Sequence, residues 1–145
     1  MIVRPLQRAD RAEWGRLWEG YLAYYETTRP ESHFDAYFER LLSGDPHDFH
    51  ALVAEDGDRL TGLTHYLFHA HGWQAARVCY LQDLYADPAV RGTGVGRALI
   101  EAVYAAADAE GAPKVYWLTQ HFNEAGRRLY DRVGSLTPFI RYDRP

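Results

Sequence analysis

The chain has 145 residues, 47% of them hydrophobic and 25% charged, with a formal net charge of −4. That is one domain's length with material for a real core, and the acidic balance argues against a nucleic-acid backbone as partner, which calls for a basic excess. A single cysteine, Cys79, excludes an internal disulfide framework and a cysteine metal cluster, and its apolar surroundings predict a buried, inert thiol.

The residues read in order as one mixed α/β domain over 1–145, without repeat or linker. "MIVRPL" opens on a short strand, Ile2–Arg4, stopped by Pro5, and not on a signal peptide. Asp10 and Glu13 have capping-box spacing, and Trp14, Leu17, Trp18, Tyr21, Leu22 and Tyr25 follow as one apolar helical face. A second helix is predicted through "SHFDAYFERLLSG", capped by Ser32 and ended by Gly44. "FHALVAED", "LTGLTHYLFHAHGW" and "ARVCYLQDLYADP" read as three strands joined by short turns, the first turn built on Gly57, which implies an antiparallel meander.

After Pro88 comes "RGTGVGRALI", followed by a helix over Gly94–Glu110 with Val95, Leu99, Ala102, Val103 and Ala106 as its apolar stripe. "KVYWLT" is a further strand, parallel to its predecessor if the crossover has the usual hand. A helix around Glu124–Arg132 and a last strand in "LTPFIRY" complete the order β, α, α, βββ, α, β, α, β. No apolar stretch approaches the ~20 residues of a membrane span, so no membrane partner and a cytoplasmic location are expected.

The glycine loop lies where a strand ends and a helix begins, a position at which free amides and the helix dipole hold anions. Glycines there let backbone approach phosphate oxygens. A nucleotide-triphosphate loop needs Lys-Ser or Lys-Thr after its last glycine, whereas Arg97 and Ala98 follow Gly96. The dinucleotide fingerprint needs a different glycine spacing near a chain start. What remains is Arg91-x-x-Gly94-x-Gly96, which resembles the pyrophosphate loop of the GNAT N-acetyltransferases that holds acetyl-CoA. "YLQDLYADPAVRGTGVG", "HFNEAGRRLYDRVGS", "YLAYYE" and the Tyr66–Trp73 hairpin resemble one branch of that family, the spermidine/spermine and thialysine acetyltransferases and the related yeast histone/polyamine enzyme.

The resemblance implies a mixed sheet splayed into a V, flanked by helices, with acetyl-CoA in the gap. It also implies direct acetyl transfer to a primary amine of a small molecule, and a homodimer formed through C-terminal strands. Arg91, Gly92, Thr93, Gly94, Val95, Gly96 and Arg97 would hold the pyrophosphate, and Leu84, Tyr85 and Ala86 would pair with the pantetheine arm and supply an oxyanion amide. Asn123 reads as a helix cap and as a contact to the same arm. Tyr130 is the expected acid for the departing thiolate, since a phenol stays protonated at neutral pH.

The branch carries Glu-Asp where this chain has Gln82-Asp83, and an amide takes no proton, so the base role falls to Asp83, whose alternative is a structural or amine-anchoring carboxylate. Tyr25 and Glu26 are expected near the amine, together with Gln82 and Asp83. His65, His69 and His71 share strand parity, but nothing else points to a metal. Acetylation of basic protein tails, and a non-catalytic acyl-CoA-binding module, are the alternative readings. Retention of Tyr130 in its motif favours the enzyme over the binder.

Overall fold

The computed structural model describes residues 1–145. Its elements are β1 (Ile2–Pro5), α1 (Arg11–Tyr24), α2 (Glu31–Leu41), β2 (His50–Asp56), β3 (Arg59–His69), β4 (Val78–Ala86), α3 (Val95–Ala109), β5 (Val115–Tyr116) and α4 (Glu124–Val133). One sheet takes the order β1-β2-β3-β4-β5, with antiparallel pairs throughout except for parallel β4–β5. The change of direction follows from α3, which carries the chain back across the sheet before β5 begins. β5 pairs with β4 only at Cys79↔Val115 and Tyr80↔Tyr116, so Gln82–Ala86 have no neighbour on that edge and the sheet opens there.

The two faces bury separate cores. On one, Trp14, Leu17, Trp18 and Leu22 of α1 pack with Phe34, Tyr37, Phe38 and Leu41 of α2 against Val53 and Leu63 of the sheet. Trp14 is its centre, fully buried and in ring contact with Trp18, Phe34, Tyr37 and Phe38. Each such side chain contributes about 1.5–3 kcal/mol through removal from water, so this cluster commits both helices to the sheet. On the other face, Ile100, Val103 and Ala107 of α3 pack against Tyr66, Phe68, Cys79 and Leu81. The buried stripe of α3 therefore uses Ile100 and Ala107, where the sequence pointed to Ala102 and Ala106. Cys79 is fully buried, and burial pushes its thiol up to about 12.

Several local expectations are corrected. Asp10 does not cap α1 with its side chain; it accepts from the Gln7 amide at 2.7 Å and from the Arg4 guanidinium at 2.8 and 2.9 Å. Glu13 turns to Arg16 and the Leu60 amide. α2 starts after Pro30 with no capping side chain, so Ser32 lies inside it, and it ends at Leu41 before Gly44 is reached. The third strand of the chain stops at His69, short of Trp73, and "KVYWLT" keeps strand geometry only over Val115–Tyr116. "LTPFIRY" forms no strand: residues 135–145 have no regular structure and leave Leu136, Phe139, Ile140 and Tyr142 exposed. A strand needs an edge to bond to, and this segment pairs with none of the sheet's edges.

Candidate active site

The open end of the sheet is bordered by four pieces: the unpaired edge of β4, the turn into α3, the C-terminal end of α1, and α4. The turn is placed first. Val95 and Leu99 sit over Gly62 of β3, where a Cβ would lie 2.7 Å from the Val95 side chain and 2.9 Å from that of Leu99. Only glycine lets α3 approach the sheet this closely. Asp87 accepts from the Ala89 amide at 3.0 Å and from Arg16 at 2.8 Å, which ties the chain leaving β4 to α1.

Gly92 and Gly94 adopt φ of 83° and 92°, left-handed values that favour glycine, and a Cβ on either would meet nothing within 4 Å. The turn thus bends its backbone toward solvent beside the first amides of α3, which have no partner within a helix. Arg91 is anchored through Nε to the Ala86 carbonyl at 3.3 Å and Arg97 through Nε to Glu101 at 2.8 Å, leaving the terminal nitrogens of both for an anion. This set of donors, two guanidinium groups and a glycine cradle fits a pyrophosphate.

β4 carries an irregularity that places the opposite side of the site. His65 pairs with Asp83 and Tyr66 with Leu81, so Gln82 has no partner of its own and forms a bulge. A bulge reverses the alternation of a strand. Leu81 accordingly packs under α3, while Asp83 and Tyr85 face α1 and α2. Gln82 is exposed, and Asp83 is 5% exposed.

Asp83 Oδ2 lies 2.9 Å from His65 Nδ1 and accepts from the Tyr37 hydroxyl at 2.7 Å. Burial alone would push the carboxyl up, but the bonds from His65, Tyr37 and Tyr21 outweigh it and hold Asp83 below its usual range. The same burial and negative charge raise the phenols of Tyr21 and Tyr37. A carboxyl held below its usual range is a weaker proton acceptor and a good fixed negative charge.

Tyr21 stacks on Trp18 at 4.8 Å and meets Tyr25 edge-on at 5.1 Å, with Tyr24 5.0 Å beyond. From the α4 side, Tyr130 packs edge-on against Trp117 at 5.6 Å, and burial pushes its phenol up to about 12, with Tyr25 and Tyr24 adding to the rise. Tyrosines from two helices therefore line the opening above Asp83. Asn123 caps α4 by accepting from the Gly126 amide at 3.1 Å, while its amide donates to Thr119 at 3.0 Å. Glu26, just past α1, is exposed at a positive φ of 56° and points to no partner.

The three histidines go separate ways. His65 bonds Asp83 and Trp14, His69 bonds the Tyr116 hydroxyl at 2.7 Å, and His71 lies beyond β3 and accepts from the Trp73 amide. Residues that sequence reasoning left out of the site are Trp14 and Tyr21, which read only as parts of an apolar helix face, Tyr37, which read only as part of the second helix, and His65, read only as a possible metal ligand.

The profile of the Acetyltransferase (GNAT) family matches residues 14–134. The chain belongs to that family. This GNAT protein is 36% identical over 146 residues to the D-amino-acid N-acetyltransferase of Saccharomyces cerevisiae, covering 99% of this chain and 90% of the yeast protein. It is also 28% identical over 95 residues to the thialysine N-epsilon-acetyltransferase of Bos taurus, covering 60% of this chain and 55% of that one. Among solved structures, the ribosomal-protein-alanine N-acetyltransferase of Brucella melitensis biovar Abortus 2308 superposes with a TM-score of 0.80 at 23% identity, over 100% of this chain and 99% of that one. AAC(6')-Iy in complex with a bisubstrate analog, CoA-S-monomethyl-acetylneamine, gives 0.85 at 18% identity, over 99% and 97%. These likenesses bear out the single GNAT fold with its open mixed sheet, and make this protein an N-acetyltransferase.

Proposed function

We propose that this acetyltransferase moves the acetyl group of acetyl-CoA directly to a primary amine of a small molecule, with Asp83 as the anion that meets the amine. The observation that carries the reading is the bulge at Gln82, which turns Asp83 to the α1 and α2 face of the sheet, among the tyrosines near the glycine turn. Relatives named for D-amino acids and thialysine support a small amine as acceptor.

Acetyl-CoA supplies an activated thioester. Arg91, Arg97 and the amides of the Gly92–Gly96 turn would hold its pyrophosphate, with Thr93 and Val95 lining the same turn, and the free edge at Leu84, Tyr85 and Ala86 would pair with its pantetheine amides. Positive charge develops on the amine nitrogen as it attacks, and a buried carboxylate beside it stabilises that charge without reorganising. The base role of Asp83 thus becomes an electrostatic one: the amine attacks in its neutral form, the C–S bond breaks as the C–N bond forms, the proton shed by nitrogen passes to water, and Tyr130 regains from water the proton it gives to sulfur, while Tyr25, Gln82 and Glu26 border the path by which the amine arrives. Tyr130 holds a proton for the leaving sulfur across the whole neutral range, because burial raises its phenol.

Incubating the protein with acetyl-CoA and separate amines (polyamines, amino acids of both hands, lysine analogues, aminoglycosides and basic peptide tails) while following free thiol tests the reading. Turnover on one of the small amines is expected. Thiol release with peptide tails alone would replace the small-molecule acceptor, and release with none would end the reading.

The same reading includes a homodimer. Leu136, Phe139, Ile140 and Tyr142 are 76–89% exposed on a segment whose alternation calls for a strand edge, and a second copy supplies one. Sedimentation should give twice the chain mass of 16.7 kDa, and removing residues 135–145 should halve it. A full-length protein that sediments as one chain at micromolar concentration would refute the dimer.

A further inference from the structure

We propose that His65, held in one tautomer by Trp14, is a positioning residue that fixes the Asp83 carboxylate for the incoming amine. The proposal rests on the functional reading above only for what Asp83 does, not for how it is held.

His65 is fully buried on β3. Its Nε2 lies 3.0 Å from Trp14 Nε1. An indole N–H can only donate, so Nε2 is the acceptor and carries no proton. The ring proton is then on Nδ1, and it is directed at Asp83 Oδ2, 2.9 Å away. The chain Trp14–His65–Asp83 therefore has a single polarity set at its buried end by a group that cannot reverse. Were the imidazole doubly protonated, it would lose the Trp14 bond with no other acceptor in reach of Nε2.

Tyr37 donates to the same Oδ2 at 2.7 Å, so both strong bonds fall on one oxygen. The other, Oδ1, is used by neither of these bonds, and the Tyr21 hydroxyl also reaches the carboxylate. Two donors on Oδ2 fix the carboxylate's rotation, and we take Oδ1 as the oxygen that meets the amine. The titratable groups facing Asp83 are His65 from β3, Tyr37 from α2, and Tyr21 and Tyr25 from α1, with Tyr80 further along β4. Only His65 among them carries a proton locked in place by a further bond behind it. Buried polar chains of this kind are stable only when every member is satisfied, which this one is at each ring nitrogen.

Two kinds of measurement on the full chain test the inference. Long-range ¹H–¹⁵N spectra of the wild-type protein at neutral pH should show His65 as the Nδ1–H tautomer. An Nε2–H pattern would overturn the proposal with no variant needed and whether or not any amine is turned over.

The second measurement compares His65→Asn, whose side-chain amide places a donor near the Nδ1 position, with His65→Leu, which has none. His65→Leu should raise the ¹³C-observed titration midpoint of the Asp83 carboxyl and lower kcat/KM for the amine about ten- to hundredfold, the range of one hydrogen bond to a charged group, while acetyl-CoA affinity is unchanged. His65→Asn should restore most of both. Equal losses in the two variants, or a loss shared by acetyl-CoA binding, would reduce His65 to a core residue. If His65→Leu does not fold, the wild-type tautomer and the His65→Asn titration still decide.

Discussion

Tyr130→Phe should lower kcat by about a hundredfold, the low end of what a positioned general acid supplies, and should leave acetyl-CoA affinity unchanged. The substitution removes one hydroxyl and keeps the ring, so the edge contact with Trp117 and the packing of α4 persist. What is lost is the proton offered to the departing sulfur. Burial has already pushed that phenol up to about 12, so the wild-type rate should not fall through ionisation of Tyr130 anywhere below the range in which alkylamines themselves deprotonate, about pH 10. The wild-type rate should instead rise with pH as neutral amine accumulates. Single-turnover rates measured beside a CoA titration check the result. An unchanged kcat would remove Tyr130 from the chemistry, and weakened CoA binding would make it a binding residue.

Asp83→Asn should lower kcat/KM for the amine by about 10²–10³, comparable with loss of one preorganised electrostatic group, with little change for acetyl-CoA. Asparagine keeps the shape and an acceptor for His65 and Tyr37, but not the charge. The effect should be the same at every pH above the ordinary carboxylate range, because the folded-state carboxyl of Asp83 lies below that range and is ionised throughout. A general base would behave differently, its loss being largest where the amine is still protonated. A pH profile of kcat/KM for both proteins separates the two roles.

Stability carries the same signature. A depressed carboxyl contributes fully above its unfolded value of about 3.9, and the contribution is lost as pH falls through the folded value. The wild-type protein should therefore lose melting temperature on acidification below about pH 4 more steeply than Asp83→Asn, which has no such proton to take up.

How much of this was legible in the residues differs sharply between the two halves of the reaction. "RGTGVGRALI" announced its own backbone because the signal is local: positive φ at Gly92 and Gly94 and the start of α3 are properties of neighbouring residues. The order of strands and helices was legible for the same reason, since periodicity belongs to single segments. The last strand failed because "LTPFIRY" has strand alternation but pairs with no strand of the sheet, and alternation states what a segment can bury without saying against what. Asp83 was legible as a carboxylate of interest, yet strict alternation would put it on the face of Leu81. Nothing in "LQDL" announces the bulge at Gln82 that turns it the other way.

The sequence by itself determined the family, the glycine turn at the start of α3 and the presence of Gln82 beside Asp83. Tertiary structure alone decided what Asp83 can do. Its partners His65 and Tyr37 stand 18 and 46 residues away, and Trp14 stands 51 residues from His65. Which of them meet depends on strand register and on how α1 and α2 pack across the sheet. A φ angle is set by its neighbours in the chain, whereas the charge state of a buried carboxylate is set by whatever the fold brings against it.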